Sequence, residues 1–260
     1  MGGVSYRFVK GHGTENDFVL VPEEVDLTPE RVRALADRRA GLGGDGVIRA
    51  AHDEQGRWFM DYRNADGSLS EMCGNGVRVF ARYLAEVEGV GFPLEIGTRD
   101  GVKVLTRDGE TFTADMGTPQ VLGESTVGVD GRTWTARHVD MGNPHAVAFV
   151  HDLADAGALL EPPTHDPQVY PRGVNVEFVV RRGERHVAMR VHERGSGETR
   201  SCGTGACAVA VAAALADGAE RPVTYRVDVP GGRLDITWTA EDRVLLAGPA
   251  VLVGEGTTDL

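Results

Sequence analysis

The chain has 260 residues, 41% hydrophobic and 25% charged, enough for two folded domains of about 100–150 residues and too apolar for wholesale disorder. A formal net charge of −12 argues against nucleic acid or an anionic membrane as a partner. Only three cysteines occur, no run of about 18 apolar residues is present, and the opening MGGVSYRFVK lacks a leader pattern, so a cytoplasmic protein without disulfides is expected.

In chain order, RFVK (7–10) leads through GHGTE into an apolar run that opens at Asn16 and reaches Val21. A helix-like segment follows over 29–40, with Arg31, Arg38 and Arg39 among its polar positions. Residues 41–46, GLGGDG, spell a literal G-x-G-x-x-G. A dinucleotide site needs a strand before that frame and a helix after it. Here a helix precedes and a short Val47-Ile48 strand follows, so the reading is rejected. Alternation at 57–63 (RWFMDYR) predicts a strand leading to MCGNG at 72–76. Val77, Phe80, Ala81 and Leu84 then fall on one helical face, and short strands follow at 102–106 and 111–115.

The second half repeats this order. RHVD (137–140) leads into MGNPHAVAFV, where Asn143 opens an apolar run to Val150. Alternation at 186–192 (HVAMRVH) precedes SCGTG at 201–205, and ACAVAVAAALA (206–216) reads as a helix buried on every side. Strands are predicted at 223–229, 233–238 and 243–246. Asn16 and Asn143 are 127 apart, Asp26-Leu27 and Asp152-Leu153 are 126 apart, and Cys73 and Cys202 are 129 apart. Such constant offsets imply a duplication. The expected class is α+β with two pseudo-symmetric halves, each a strand-rich mixed sheet or barrel around a central helix. Residues 1–117, joined by a C-terminal strand at 250–260, carry Cys73; residues 118–249 carry Cys202; the active site is expected in the cleft between them.

A cysteine at a helix start sits among unpaired amides and the positive end of the dipole, which favour the thiolate. The glycines beside it let backbone N–H groups cradle a carboxylate. Two such units suit inversion of a carbon α to a carboxylate, with one thiolate removing the proton and the opposite thiol returning one. A lone cysteine in such a frame is more often structural; two matched frames reverse that expectation. Cys207, inside the apolar helix, reads as a small buried hydrophobe. Only Lys10 and Lys103 could form a Schiff base, and no P-loop frame or Cys-x-x-Cys pair occurs, so neither cofactor nor metal is expected. A dithiol redox protein, a cysteine hydrolase and a carboxylate-binding module remain open on these residues alone.

NDF (16–18), NADGSLSEMCGNGVR (64–78), MGNPH (141–145), GVNVEF (173–178) and HERGSGETRSCGTGA (192–206) resemble the diaminopimelate epimerase family nearly end to end. That resemblance implies the family fold and cofactor-independent conversion of LL- to meso-diaminopimelate, a step of lysine and peptidoglycan precursor synthesis. It implies Cys73 as proton donor and Cys202 as proton acceptor. Backbone amides of Gly74, Asn75, Gly203 and Thr204 would hold the reacting carboxylate. Asn16, Asn64, Asn143, Asn175 and Arg194 would read the distal amino-acid head, with Glu193 near the substrate ammonium. Glu193-Arg194 has a simpler reading as a surface ion pair, and His145, which lines the site or serves a structural hydrogen bond, is left out of the catalytic set. The family also implies a homodimer acting on a small molecule. A proline or hydroxyproline racemase shares the paired thiols, and the asparagine set argues against it. One departure stands out: Gly46 occupies a position where some members carry Gln, so no side-chain contact is carried over there.

Overall fold

The computed structural model describes residues 5–260; residues 1–4, part of the stretch read for a leader, lie outside it. The chain forms two compact units, Met1–Ala114 with Gly248–Leu260, and Asp115–Ala247. The first unit contains β1 (Tyr6–Gly13), β2 (Asn16–Val21), α1 (Pro29–Ala36), β3 (Gly46–His52), β4 (Trp58–Asn64), α2 (Gly74–Glu86), β5 (Leu94–Thr98), β6 (Gly101–Asp108) and β7 (Thr111–Asp115). The second contains β8 (Gln120–Val129), β9 (Arg132–Asp140), β10 (Pro144–Phe149), a short β11 (Thr164–His165), β12 (Asn175–Gly183) and β13 (His186–Glu193). It continues through a short β14 (Gly197–Thr199), α3 (Gly203–Asp217), β15 (Val223–Val229), β16 (Gly232–Trp238) and β17 (Val244–Pro249). Finally β18 (Val251–Thr258) returns to the first unit and pairs antiparallel with β1.

Both units use one strand order. In the first it runs β18-β1-β2-β3-β4-β5-β6-β7, with β2–β3 and β4–β5 parallel and every other pair antiparallel. In the second it runs β8-β9-β10-β12-β13-β15-β16-β17, with β10–β12 and β13–β15 parallel and the rest antiparallel. Helix α2 packs on β1, β2, β3, β4 and β18, and α3 packs on β9, β10, β12, β15 and β16. The expected α+β class, two like halves each wrapping strands around a helix, is what the chain adopts.

The parallel pairs explain the long apolar runs. β2 and β3 bear α2 on one face, and on the other Val19, Val21 and Val47 meet Val32 and Leu35 of α1. β10 and β12 bear α3 on one face and the cluster of Ala156, Leu159 and Tyr170 on the other. Strands covered on both faces lose alternation and read as continuous Val, Leu and Ala. Helix α3 is apolar all round for the same reason: Ala206 to Ala214 are buried without exception.

Helix α1 stops at Ala36, short of the expected residue 40. The Asp37 carboxylate accepts the N–H groups of Arg39 and Ala40, both at 2.7 Å, and so offers the chain a turn in place of another helical step. β8 had no clear signature because it is exposed on both faces over most of its length, with a bulge between Val121 and Gly123. Among the described residues no helix is long and apolar enough to cross a membrane.

Candidate active site

The two cysteine frames fold alike. Cys73 and Cys202 are the N-cap residues of α2 and α3, both extended, with φ/ψ of −136°/118° and −115°/115°. Each Sγ accepts the backbone N–H three residues on, Gly76 and Gly205, at 3.4 Å. Serine or aspartate oxygen ordinarily fills this place. Sulfur here sits at the positive end of a buried helix, beside first-turn amides with no intrahelical partner.

In the first unit Cys73 is half-buried, and its Sγ lies 3.5 Å from Asn16 Oδ1. Asn75 Nδ2 donates to the same oxygen at 3.3 Å, so Cys73, Asn16 and Asn75 form one cluster. Asn16 opens β2 directly after the two-residue turn Thr14-Glu15, both at positive φ (49° and 61°), with Gly13 opposite Asn16 in the ladder. Its amide donates to Asp45 Oδ2 at 2.6 Å, and Arg38 holds that aspartate from the other oxygen at 2.7 Å. Arg38 and Lys10 also grip Asp17. Burial alone would raise the Asp17 pKa; these two cations outweigh it and hold the carboxyl well below the usual range. Asn75 is fully buried and is anchored by Arg78, whose guanidinium donates to Asn75 Oδ1 and Gly74 O, each at 2.8 Å. Asn64 ends β4 and turns to Ser68 Oγ at 3.0 Å, with no hydrogen bond to the cysteine cluster.

Gly46, where some relatives carry Gln, has its side-chain space taken. A Cβ there would lie 2.4 Å from Cε2 of Tyr62 and 2.5 Å from the Arg63 carbonyl. Its φ is unexceptional, so glycine is required by crowding and not by conformation. The G-x-G-x-x-G stretch indeed runs from α1 into β3, the reverse of a dinucleotide site.

In the second unit Cys202 is buried, with Thr204 Oγ1 at 3.6 Å. Asn175 donates to the Pro144 carbonyl and accepts the Arg194 N–H, both at 3.0 Å. The Arg194 side chain is exposed, lies along Gly173, and donates to the Arg172 carbonyl at 3.3 Å. Glu193 accepts from the Thr199 hydroxyl. Asn143 Oδ1 lies 3.0 Å from Nε2 of His145, and Nδ1 of that ring lies 2.6 Å from Glu177. Burial, then Glu193 and, where it is ionised, Glu177, push the Cys202 thiol well above the ordinary range, against the pull of Thr204 and the Gly205 N–H. Burial thus acts on Cys202 in the direction opposite to the pull expected of a helix start.

Three residues of these clusters escaped the sequence reading. Arg78 is outside the set that marks the apolar face of α2 in the sequence, yet it is fully buried as the prop of Asn75. Asp45 carried no motif of its own. Glu177 stood inside a quoted motif without a role. Its signal was available: one acidic residue between Val176 and Phe178-Val179-Val180, all buried, must answer for its desolvation.

The family model described as diaminopimelate epimerase matches residues 8–122 and 137–253. A diaminopimelate epimerase of Streptomyces coelicolor is 58% identical over 275 residues, covering 97% of this chain and 95% of the relative. One from Corynebacterium glutamicum is 47% identical over 276 residues, covering 97% and 98%. Among solved structures, a PhzF-family phenazine biosynthesis protein of Bacillus anthracis aligns with a TM-score of 0.74 at 17% identity, over 98% of this chain and 99% of that one. A hydroxyproline epimerase from Agrobacterium vitis aligns with a TM-score of 0.72 at 15% identity, over 99% and 94%. At such identities these two likenesses speak to the fold alone.

Proposed function

Because the chain belongs to the diaminopimelate epimerase family, we infer that it is an isomerase that converts LL-diaminopimelate to the meso form. The observation that carries the chemistry is the pair of helix-capping cysteines, each with Sγ at 3.4 Å from the third amide of its own helix. Inversion by two bases requires one thiol on each face of the same carbon. Cys202, as thiolate, takes the Cα proton; the electron pair moves into the carboxylate as an enediolate; Cys73 then gives its proton to the opposite face. The sulfur states are exchanged at the end of the turnover, and no group is oxidised or reduced.

The first-turn amides of Gly74, Asn75, Gly203 and Thr204 stabilise the developing charge on the reacting carboxylate. Asn16, Asn64, Asn143, Asn175 and Arg194 bind the distal head, the arginine as a fork to its carboxylate. Glu193 binds the substrate ammonium. That contact also supplies a trigger: burial and then the Glu193 charge raise the Cys202 pKa, and a cation beside Glu193 cancels part of its field. The base then forms with substrate in place. The family assembles as a homodimer, and we extend that to this chain.

The test places the reduced protein in D₂O with LL-diaminopimelate and follows the α protons by NMR. Deuterium entering one α position as the meso isomer appears is the expected result. Exchange with proline but not with diaminopimelate would keep the two-thiol chemistry and overturn the substrate. Exchange with no amino acid would revive the dithiol redox reading.

A further inference from the structure

Glu177 lies at the centre of β12, fully buried, between Val176 and Phe178. One carboxyl oxygen is 2.6 Å from Nδ1 of His145, itself fully buried; the other, Oε2, finds no hydrogen-bond partner among the described residues. The oxygen that meets His145, Oε1, also lies against the start of α3: a Cβ on Gly205 would come within 2.7 Å of it and 3.2 Å of the Cys202 sulfur. The His145 ring reaches Asn143 Oδ1 through Nε2 at 3.0 Å. The groups that face Glu177 are His145 from β10, Glu193 from β13, Cys202 from the cap of α3, and Tyr170 from the segment before β12.

This arrangement admits few proton placements. An ionised Glu177 would leave a charged oxygen buried without a partner, close to a second carboxylate and to the thiol that must become a thiolate. An uncharged carboxyl leaves only a carbonyl-type oxygen unpaired, which costs far less. Burial, opposed by His145 and by the residue's own N–H, raises the Glu177 pKa, in the same direction.

We propose that Glu177 is a positioning residue for the epimerisation: as a carboxylic acid it donates its proton to Nδ1 of His145, which fixes the imidazole with its hydrogen on Nε2, aimed at Asn143 Oδ1. Asn143 is then held with its carbonyl toward the ring and its two N–H donors turned away, the orientation that suits a substrate carboxylate. The same proton keeps a second negative charge from the back of Cys202. The proposal rests on the reading of Asn143 as a substrate contact, given above.

Two measurements test it. In ¹⁵N-histidine-labelled protein at neutral pH without substrate, His145 is expected as the neutral Nε2–H tautomer. A ring protonated on Nδ1, or on both nitrogens, overturns the proposal. In Glu177→Leu the tautomer preference is lost and the KM for diaminopimelate rises about tenfold or more, with a smaller fall in kcat, since one contact to a charged head is misaligned. Glu177→Gln restores most of that loss, because its amide N–H can donate to Nδ1 as the acid does and cannot ionise. A Gln variant as damaged as the Leu variant, with its fold intact by circular dichroism, also overturns it. If wild-type protein fails to exchange diaminopimelate while His145 still shows the Nε2–H tautomer, the functional reading falls and the proton placement stands.

Discussion

Cys207 sits one turn inside α3, fully buried among alanine and valine, whereas Cys202 caps the same helix. Cys207→Ala is therefore expected to leave turnover within about twofold and to cost about 1 kcal/mol of stability, a small cavity's worth. Deuterium exchange and thermal melting would check both; a loss of turnover like that of Cys202→Ala would remove the distinction drawn between them. Gly46 gives a second case. Adding one methyl against the Tyr62 ring and the Arg63 carbonyl is expected to destabilise by about 1–3 kcal/mol through overpacking, read from urea midpoints. At this scale the thiols were legible because a cysteine before two spaced glycines states its backbone role openly. Tyr62 filling the space over Gly46 was not, since the two residues are 16 apart and meet only through the β3–β4 register. The burial of Arg78 was not legible either, because it depends on strands that close over α2 from both ends of the chain.

Among elements, β3, β4 and the β5–β6 turn are tied together by Asp61. This carboxylate is almost completely buried and receives Arg49 from β3, Arg63 from β4 and Arg99 from the turn. Burial would raise its pKa, and Arg99 and Arg63 bring it below the usual value. A carboxyl with a depressed folded pKa adds stability that is complete above its unfolded pKa of about 3.9 and vanishes as pH falls through the folded one. Acid titration of stability in wild type should thus steepen below about pH 4. Asp61→Asn is expected to cost about 2–4 kcal/mol at neutral pH and to flatten that acid limb, because three guanidinium groups lose their shared anion. An unchanged limb would show that the depression is not felt in stability. The doubly covered strands β2 and β10 were plain in the sequence as apolar runs. β8 was not, because a strand exposed on both faces needs no pattern to hold it.

For the whole molecule, the repeated strand order is completed in the first unit by β18, which meets β1 through seven residue pairs and touches α2. Deleting residues 250–260 is expected to abolish proton exchange and to render the first unit sensitive to protease at a low level that spares wild type. Retained exchange in the truncated chain would mean that β18 is dispensable. The duplication was visible in the sequence from three landmarks at nearly equal offsets; the identical run of parallel and antiparallel pairs was not, because pairing between strands far apart in the chain leaves no local mark.

That a late strand completes an early sheet matters for how the protein is made. A ribosome releases Asp115–Ala247 with every strand of that unit present, whereas β1 to β7 must wait for β18. At ordinary elongation rates the wait is roughly 7–30 s. Throughout it, β1 offers an open edge, the kind of surface on which nascent chains aggregate or recruit chaperones. The half synthesised first is thus the half that folds last.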